Sequence, residues 1–312
     1  MKLLVKLITG LALSVTAFAG PMSIDEVQQL FDDVRYADTT VRVEHISSKL
    51  LGTPYQLDGF GEGPNDNYER DLRYYDQDPR YRFDAFDCTT LVETVTAFAL
   101  SSNLEDFKSL IDRIRYKNAE VSYVTRNHFP SLDWVPNNIA AGFYEDITAT
   151  VAQEAGIAVA TAEAIVDKRT WYSKKKITDL NVPETDLKKL KKRLAQLQRE
   201  GRAFKKTLAT LPYLKLTDIF SDAHASALNV IPSGAVINIV RPGWSLRDKK
   251  TNELITQMNV SHQGFAIWKN GVLYFREASS RTMVVQEVPL KDYLAEFLES
   301  PTIKGINVLQ IK

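Results

Sequence analysis

Two hydrophobic periods meet at Asp87–Thr89. Before this point, Tyr81 and Phe83 alternate with polar neighbours, which is the pattern of a half-buried strand. After it, apolar residues recur at the spacing of a helix face: Leu91, Val92, Val95 and Phe98. The change of period predicts that a strand turns into a helix here, and it places Cys88 in the first helical turn.

Over the rest of the chain, the pattern predicts helices first and strands last. Helical spacing recurs between Val43 and Leu50 and again after Asn103. The last third alternates with period two and predicts strands at Ala235–Val240, His262–Trp268, Gly271–Phe275 and Thr282–Val288. Asn270 and Gly271 supply a hairpin turn between two of these strands. A helical part followed by a strand-rich part predicts an α+β fold.

Between about residues 149 and 214 the composition becomes rich in Ala, Lys and Leu. The clearest helix there ends at Gly201 and carries its apolar face at Leu187, Leu190, Leu194 and Leu197. The opposite face is basic, which is typical of a solvated helix surface. We therefore predict a helical insertion at about 149–214.

The N-terminus has the pattern of a secretory signal peptide. Lys2 and Lys6 lie at the start of an apolar run that ends in the small-x-small triplet Ala17-Phe18-Ala19. The sequence predicts cleavage after residue 19, a domain at 20–312 and a periplasmic or secreted protein. The apolar run is shorter than the roughly 20 residues of a membrane-spanning helix, so we expect no stable membrane anchor.

Charge and composition narrow the class of protein. The chain has 39 basic and 39 acidic residues, and its formal net charge is zero. A nucleic-acid binder usually has a strongly basic domain, so we expect no nucleic-acid partner. With 44% hydrophobic and 25% charged residues, the composition is that of an ordinary globular domain. We expect this domain to act as a monomer.

Cys88 is the only cysteine in the sequence. A lone cysteine in an oxidising compartment has no partner for an intramolecular disulfide. The first turn of a helix offers unpaired N–H groups and the positive end of the helix dipole, and both favour thiolate over thiol. Cys88 is therefore a candidate nucleophile. The competing interpretation is a buried free cysteine that acts as a small hydrophobe.

A cysteine nucleophile needs a base within hydrogen-bond reach and a third group that orients the base. His262 begins the predicted strand SHQGFAIW, and the next strand, LYFREASS, brings back Glu277. With the turn taken as centred at position 269.5, these two residues lie near each other across the hairpin.

His128 is the rival base. It lies in the aromatic and charged segment YVTRNHFPSLDWVPNN, which also contains Arg126 and Trp134. Such a segment is typical of a loop at the rim of a binding site. A metal site is not expected, because one Cys and four scattered His residues give no recognisable ligand spacing. We expect no cofactor.

The quoted motifs resemble a known family. FDCTTLVETV, SHQGFAIW and GTPY resemble the landmarks of the NlpC/P60 cysteine peptidases. The same motifs, the R-x-H-x-x-x-x-DW run from Arg126 to Trp134 and the REASS segment resemble the DUF1460 branch of that superfamily. The resemblance runs from about Val43 to the C-terminus and is weakest at about 149–214.

The resemblance implies a papain-like fold with the catalytic cysteine at the N-terminus of a helix packed on an antiparallel sheet. It also implies an N-acetylmuramoyl-L-alanine amidase, which cuts between muramic acid and the stem peptide of peptidoglycan or muropeptides. Carried over by motif, Cys88 is the nucleophile, His262 the base and Tyr55 an oxyanion donor. Asp87 and Ser261 match positions on the substrate side of the cleft. Arg126, His128 and Trp134 are candidate substrate-binding residues because of the character of their loop.

The chain departs from the family pattern at Glu277-Ala278-Ser279, where the family has His-Ala-Ser. A carboxylate can accept the imidazole N–H and stabilise imidazolium. The competing interpretation pairs Glu277 with Arg276, Arg281 or a lysine on the sheet surface. Two other functions stay open: an endopeptidase for γ-D-glutamyl bonds within the stem, and a peptidoglycan-binding protein whose catalytic residues have decayed.

Overall fold

The computed structural model describes residue 22 and residues 24–64, 74–221 and 227–312. The predicted signal peptide at 1–19 lies outside these residues. The helices are α1 (Ile24–Asp33), α2 (Thr39–Lys49), α3 (Cys88–Leu100), α4 (Leu104–Arg115), α5 (Val135–Ala140), α6 (Thr148–Ala155), α7 (Lys168–Ser173), α8 (Leu187–Glu200), α9 (Leu216–Ile219) and α10 (Leu290–Ala295). The strands are β1 (Tyr144–Asp146), β2 (Val159–Val166), β3 (Thr207–Lys215), β4 (Val236–Arg247), β5 (Leu254–Lys269), β6 (Val272–Ser279), β7 (Val284–Pro289) and β8 (Gly305–Ile311).

The strands form one antiparallel sheet in the order β2-β3-β8-β4-β5-β6-β7, with β1 added beside β8. The sheet order confirms the expected mixed architecture with an antiparallel sheet. The hairpin of β4 and β5 is its longest pairing, and its register shifts between Val240 and Trp244. Proline has no N–H for the ladder, and the segment at 241–243 contains Pro242. The sequence predicted that the strand ends at Val240. In the structure it bulges there and continues.

Helix α3 is the central element of the core. Most of its side chains are buried, from Thr90 to Ala99, and it packs between α2, α4 and β5. Phe98 is completely buried, and its ring centroid lies 4.5 Å from that of Phe107 on α4. Because α3 is held on several sides, the position of its first residue relative to the sheet is fixed.

The helix predicted at the change of period is confirmed, and the strand predicted before it is wrong. Residues 81–84 form no strand, and only Phe86 makes a single bridge, to Tyr55. Tyr81 and Phe83 instead both pack on Phe107, at centroid distances of 5.6 and 5.7 Å. Their alternation therefore serves to cover helix α4 rather than to form a sheet edge.

The segment predicted as a helical insertion is only partly helical. Helix α8 is confirmed, but β2 and β3 extend the sheet. On β2, Ala162, Ala164 and Val166 are buried, while the residues between them are exposed. The alanines fill the inner face of a strand, and their abundance had suggested a helix. No helix in the described ranges is long and apolar enough to cross a membrane.

Candidate active site

Cys88 is the first residue of α3, as the sequence predicted, and a reciprocal cap fixes it there. The Asp87 carboxylate accepts a hydrogen bond from the Thr90 backbone N–H at 2.8 Å, and the Thr90 hydroxyl accepts one from the Asp87 N–H at 2.9 Å. The cap occupies the N–H groups of these two residues. The Cys88 N–H belongs to the first turn, where backbone donors have no partner within the helix.

His262 lies between Cys88 and Glu277. Its Nε2 hydrogen-bonds to Oε2 of Glu277, and the ring lies close enough to Cys88 for the charge of the sulfur to act on it. Since Nε2 is occupied by the carboxylate, Nδ1 is the nitrogen left free for the sulfur. Burial disfavours a charged ring, but negative charge at Cys88 and Glu277 outweighs burial and raises the pKa of His262 to about 10. The arrangement favours an imidazolium.

Glu277 is buried on β6, with 3% of its surface exposed. Its second oxygen, Oε1, accepts a hydrogen bond from Nε2 of Gln286 at 3.0 Å. Burial acts to raise the pKa of Glu277, yet the hydrogen bonds and charge of His262, with Gln286 and Arg281, lower it overall. The carboxylate is therefore ionised and held by two partners.

The surface pairing considered for Glu277 is wrong. Arg276 pairs with Glu287 at 2.6 Å, and Arg281 pairs with Glu296 at 2.5 Å. Both arginines therefore have other carboxylate partners.

The predicted hairpin contact between His262 and Glu277 is present, but the predicted register is wrong. Lys269 pairs with Val272, so the two turn residues are Asn270 and Gly271, with φ of 50° and 77°. This type of turn needs positive φ at both positions, which Asn and Gly tolerate. His262 consequently reaches Glu277 along the diagonal instead of directly across.

Tyr55 lies beside Cys88 because its segment pairs with the residues that precede α3. The Gln56 N–H donates to the Phe86 carbonyl at 2.9 Å, and the Phe86 N–H donates to the Pro54 carbonyl at 3.0 Å. Burial, together with negative charge at Cys88 and Asp87, raises the pKa of Tyr55. Its phenol therefore keeps its proton and can donate a hydrogen bond.

A row of buried amides, which the sequence analysis missed, ties α3 to the sheet. The Thr89 hydroxyl donates to Oε1 of Gln263 at 2.8 Å, Gln263 donates to Asn238 at 2.7 Å, and Asn238 donates to Asn307 at 2.8 Å. These amides lie side by side on β5, β4 and β8. The signal was a single amide within each apolar strand: VINIV, HQGFAIW and GINVL.

A cleft of about 490 Å³ opens on the Cys88 side, where Asp87 and Thr89 line it. Arg126 and His128, both predicted as rim residues, line it too. Most of its charged lining is acidic: Asp58, Asp76, Asp78, Asp87, Glu93 and Asp179. The segment after α7 supplies part of the wall, including Lys175, whose ammonium lies 3.8 Å from the centre of the Trp171 ring.

His128 faces this cleft but contacts neither Cys88 nor a carboxylate in the described part of the chain. Its Nε2 hydrogen-bonds to the Tyr123 carbonyl oxygen at 2.8 Å, and its ring packs on Trp171. Burial, followed by the positive charges of Arg126 and Lys175, holds the pKa of His128 well below its usual value. His128 is therefore neutral and forms part of a wall, and His262 is the histidine beside the sulfur.

Trp134 was predicted as a rim residue, and this prediction is wrong. Its side chain is completely buried, and its Nε1–H donates to Glu93 Oε1 at 3.1 Å. Glu93 also accepts from Nε of Arg115 at 2.7 Å, in an ion pair that is itself buried. The indole is needed under the cleft because it satisfies a buried carboxylate.

A second cavity, of about 590 Å³, opens on the His262 side. Ser261 lines it together with His262 and Glu277, so Asp87 and Ser261 belong to different cavities. Its lining also includes aromatic side chains and charges of both signs: Trp244, Tyr293 and Phe297, the cations Arg241 and Arg281, and the carboxylates Asp292 and Glu296. Among the residues that the structure describes, no group of three His, Cys, Asp or Glu could hold a metal ion.

Comparisons with known proteins identify the family of the chain. The sequence model of the AmiA-like family, described as N-acetylmuramoyl-L-alanine amidase-like, matches residues 45–301. The chain belongs to this family. A protein from Legionella pneumophila whose crystal structure is assigned to the DUF1460 family is 39% identical in sequence to this chain. The two structures align with a TM-score of 0.84 over 92% of this chain and 93% of that one.

More distant structures share the fold. Two crystal structures of an N-acetylmuramoyl-L-alanine amidase from Bacteroides uniformis are 21% and 22% identical, with TM-scores of 0.56 and 0.59. Each covers 88% of this chain and 99% of the amidase. No protein of curated function matches the sequence.

Proposed function

We propose that this protein is a cysteine amidase that cleaves the amide bond between N-acetylmuramic acid and L-alanine in peptidoglycan fragments. The main support is the contact of Cys88, at a capped helix N-terminus, with a histidine that Glu277 orients, in a chain of an amidase-like family. We also propose, from the N-terminal sequence, that it acts in the periplasm or outside the cell.

In the proposed reaction, the Cys88 sulfur attacks the lactyl carbonyl carbon and forms a C–S bond. The carbonyl oxygen becomes an oxyanion, which the Tyr55 hydroxyl and the Cys88 backbone N–H are placed to stabilise. His262 then donates its proton to the amide nitrogen, the C–N bond breaks, and the stem peptide leaves as an amine. Water, deprotonated by His262, hydrolyses the thioester and releases the muramic acid carboxylate.

Mass analysis of muropeptides digested with the purified protein tests this proposal. The wild type should release a free peptide that begins with L-alanine, and Cys88→Ala and His262→Ala should release none. Binding of muropeptides to Cys88→Ala should persist, because the variant removes the nucleophile and leaves the cavities intact. Binding without any turnover by the wild type would instead support a protein that only binds peptidoglycan.

The acidic cleft also favours a second candidate, the γ-D-glutamyl endopeptidase. A stem peptide that is free of muramic acid presents an α-ammonium group on the acyl side of this bond, which the carboxylates of the cleft would attract. Free stem peptides cut at the γ-D-glutamyl bond, with no peptide beginning with L-alanine released from muropeptides, would support the endopeptidase and contradict the amidase.

A further inference from the structure

We propose that the cavity on the His262 side holds the released half of the substrate, the stem peptide, and that Arg241 binds the α-carboxylate of its D-glutamyl residue. The proposal rests on the proposed amidase function and adds the direction in which the substrate lies. It assigns a specificity-determining role to Arg241, which lies outside the motifs of the sequence analysis.

The chemistry of the leaving group fixes the direction. The amide nitrogen must receive a proton when the C–N bond breaks, and His262 is the proposed donor beside Cys88, since the residues that follow these two are hydrogen-bonded to each other. The amine half therefore lies on the His262 side of the sulfur. The acyl half extends towards Asp87 and Thr89, which line the acidic cleft.

Charge supports the same direction. The muramyl group carries hydroxyl and amide groups, and it has no charge once its lactyl carboxyl is in amide linkage. Carboxylates in the cleft can therefore accept hydrogen bonds from its hydroxyl groups. A stem peptide carries carboxylates, which the acidic cleft would repel. Of the cations in that cleft, Arg126 donates to the Phe60 carbonyl at 2.7 Å, and Lys175 lies over the Trp171 ring.

Arg241 is a cation in the His262-side cavity without a carboxylate partner in the described ranges. It lies on β4 at the bulge, next to the residues that pair with the strand of His262. Its guanidinium lies 4.1 Å from the centre of the Trp244 ring, and Nε and Nη2 donate to the Thr302 hydroxyl at 3.1 and 2.8 Å. These contacts hold the group in place and leave Nη1 without a hydrogen bond to the described residues.

Arg281 lines the same cavity but is already paired. Its Nη1 lies 2.5 Å from Oε2 of Glu296, and both side chains are more than half exposed. Arg241 is half-buried, is held by the Trp244 ring and the Thr302 hydroxyl, and has no counter-ion among the described residues. It is therefore better suited than Arg281, which is exposed and already paired, to bind a carboxylate.

The test compares two substrates that differ by one charge: a muramyl tripeptide whose D-glutamyl residue keeps its α-carboxylate, and the same compound with that carboxyl amidated. Arg241→Gln should lower kcat/KM for the acid by roughly tenfold to a hundredfold, the loss of a hydrogen bond between charged groups. It should leave the rate for the amide nearly unchanged. Arg241→Lys should recover part of the rate for the acid, because it keeps the positive charge but lacks the paired N–H donors of the guanidinium.

Arg247→Gln is the matched control, since Arg247 is an exposed arginine on the same strand and, among the described residues, its one hydrogen-bond partner is the Asn252 carbonyl. It should behave as wild type on both substrates. Equal losses on acid and amide in Arg241→Gln, or no loss on either, would overturn the proposal. Failure of the wild type to release any stem peptide from either compound would instead reject the amidase function itself.

Discussion

At the scale of single residues, the candidate site depends on the charge of Glu277. Its carboxylate hydrogen-bonds to Nε2 of His262, so that only Nδ1 is left for the sulfur. Together with the charge at Cys88, it also raises the pKa of His262 to about 10. A ring with such a pKa keeps its proton at neutral pH and loses it as the pH rises through about 10. Activity that needs the imidazolium should therefore fall on the alkaline side.

Glu277→Gln is expected to reduce kcat by roughly tenfold or more, an effect of at least about 1.4 kcal/mol, with little change in KM. The amide keeps the shape of the side chain but removes the charge that stabilises imidazolium. The pH above which kcat/KM falls should move to lower values, because the pKa of His262 is no longer raised by this carboxylate. Rate profiles between neutral and alkaline pH measure both effects.

Glu253→Gln is the control for this variant, since Glu253 is an exposed acid that pairs with Lys174. An unchanged pH profile in Glu277→Gln would show that another group orients His262.

At the scale of elements, the bond between Thr89 and Gln263 joins the helix of the cysteine to the strand of the histidine. It links the residue after Cys88 with the residue after His262. The proposed nucleophile and the proposed base are thus each followed by a residue that takes part in this hydrogen bond. We expect Gln263 to position His262 without itself taking part in the reaction.

Gln263→Leu should lower the free energy of unfolding by about 1 to 3 kcal/mol, because Asn238 loses the amide that donates to it. It should also lower kcat more than KM, which loss of stability alone would not do. In Thr89→Val combined with Gln263→Leu, the effects on stability should be less than additive, since both substitutions break the same bond. Urea denaturation and steady-state kinetics test this, and strictly additive stability effects would contradict the link.

The sequence was informative where a local pattern determines the structure. The change of period located α3, and the Asn-Gly turn located the hairpin that brings Glu277 to His262. The sequence was misleading where a prediction rested on amino-acid composition instead of on periodicity. The alanines of β2 suggested a helix, and the polar segment around Trp134 suggested a binding rim. The amide row depends on which strands are neighbours in the sheet, and local sequence does not contain that information.

At the scale of the whole molecule, β2 and β3 are joined to the rest of the sheet through β8. Gly305 lies at this junction and pairs with both Lys215 on β3 and Val240 on β4. A Cβ at this position would lie 1.9 Å from the carbonyl oxygen of Leu214. The close approach of the two backbones therefore requires glycine here.

Gly305→Ala should destabilise the protein by about 3 kcal/mol or more, because a backbone atom has to move to admit the methyl group. Gly142→Ala is the matched control: Gly142 has φ of 80° but no atom within 4 Å of the added Cβ. The control should lose only about 1 kcal/mol, from backbone strain. Thermal unfolding of the two variants measures the difference, and equal losses would show that the contact at β8 adapts.

The two cavities also imply an order of events during turnover. On the proposed orientation, the stem peptide leaves through the His262-side cavity while the muramyl group remains attached to sulfur. The attacking water then enters by the route that the peptide has vacated, so a returning peptide amine and water compete for the same thioester. An excess of free stem peptide should therefore slow net hydrolysis and re-form substrate, as expected if the transfer of the muramyl group to sulfur is reversible.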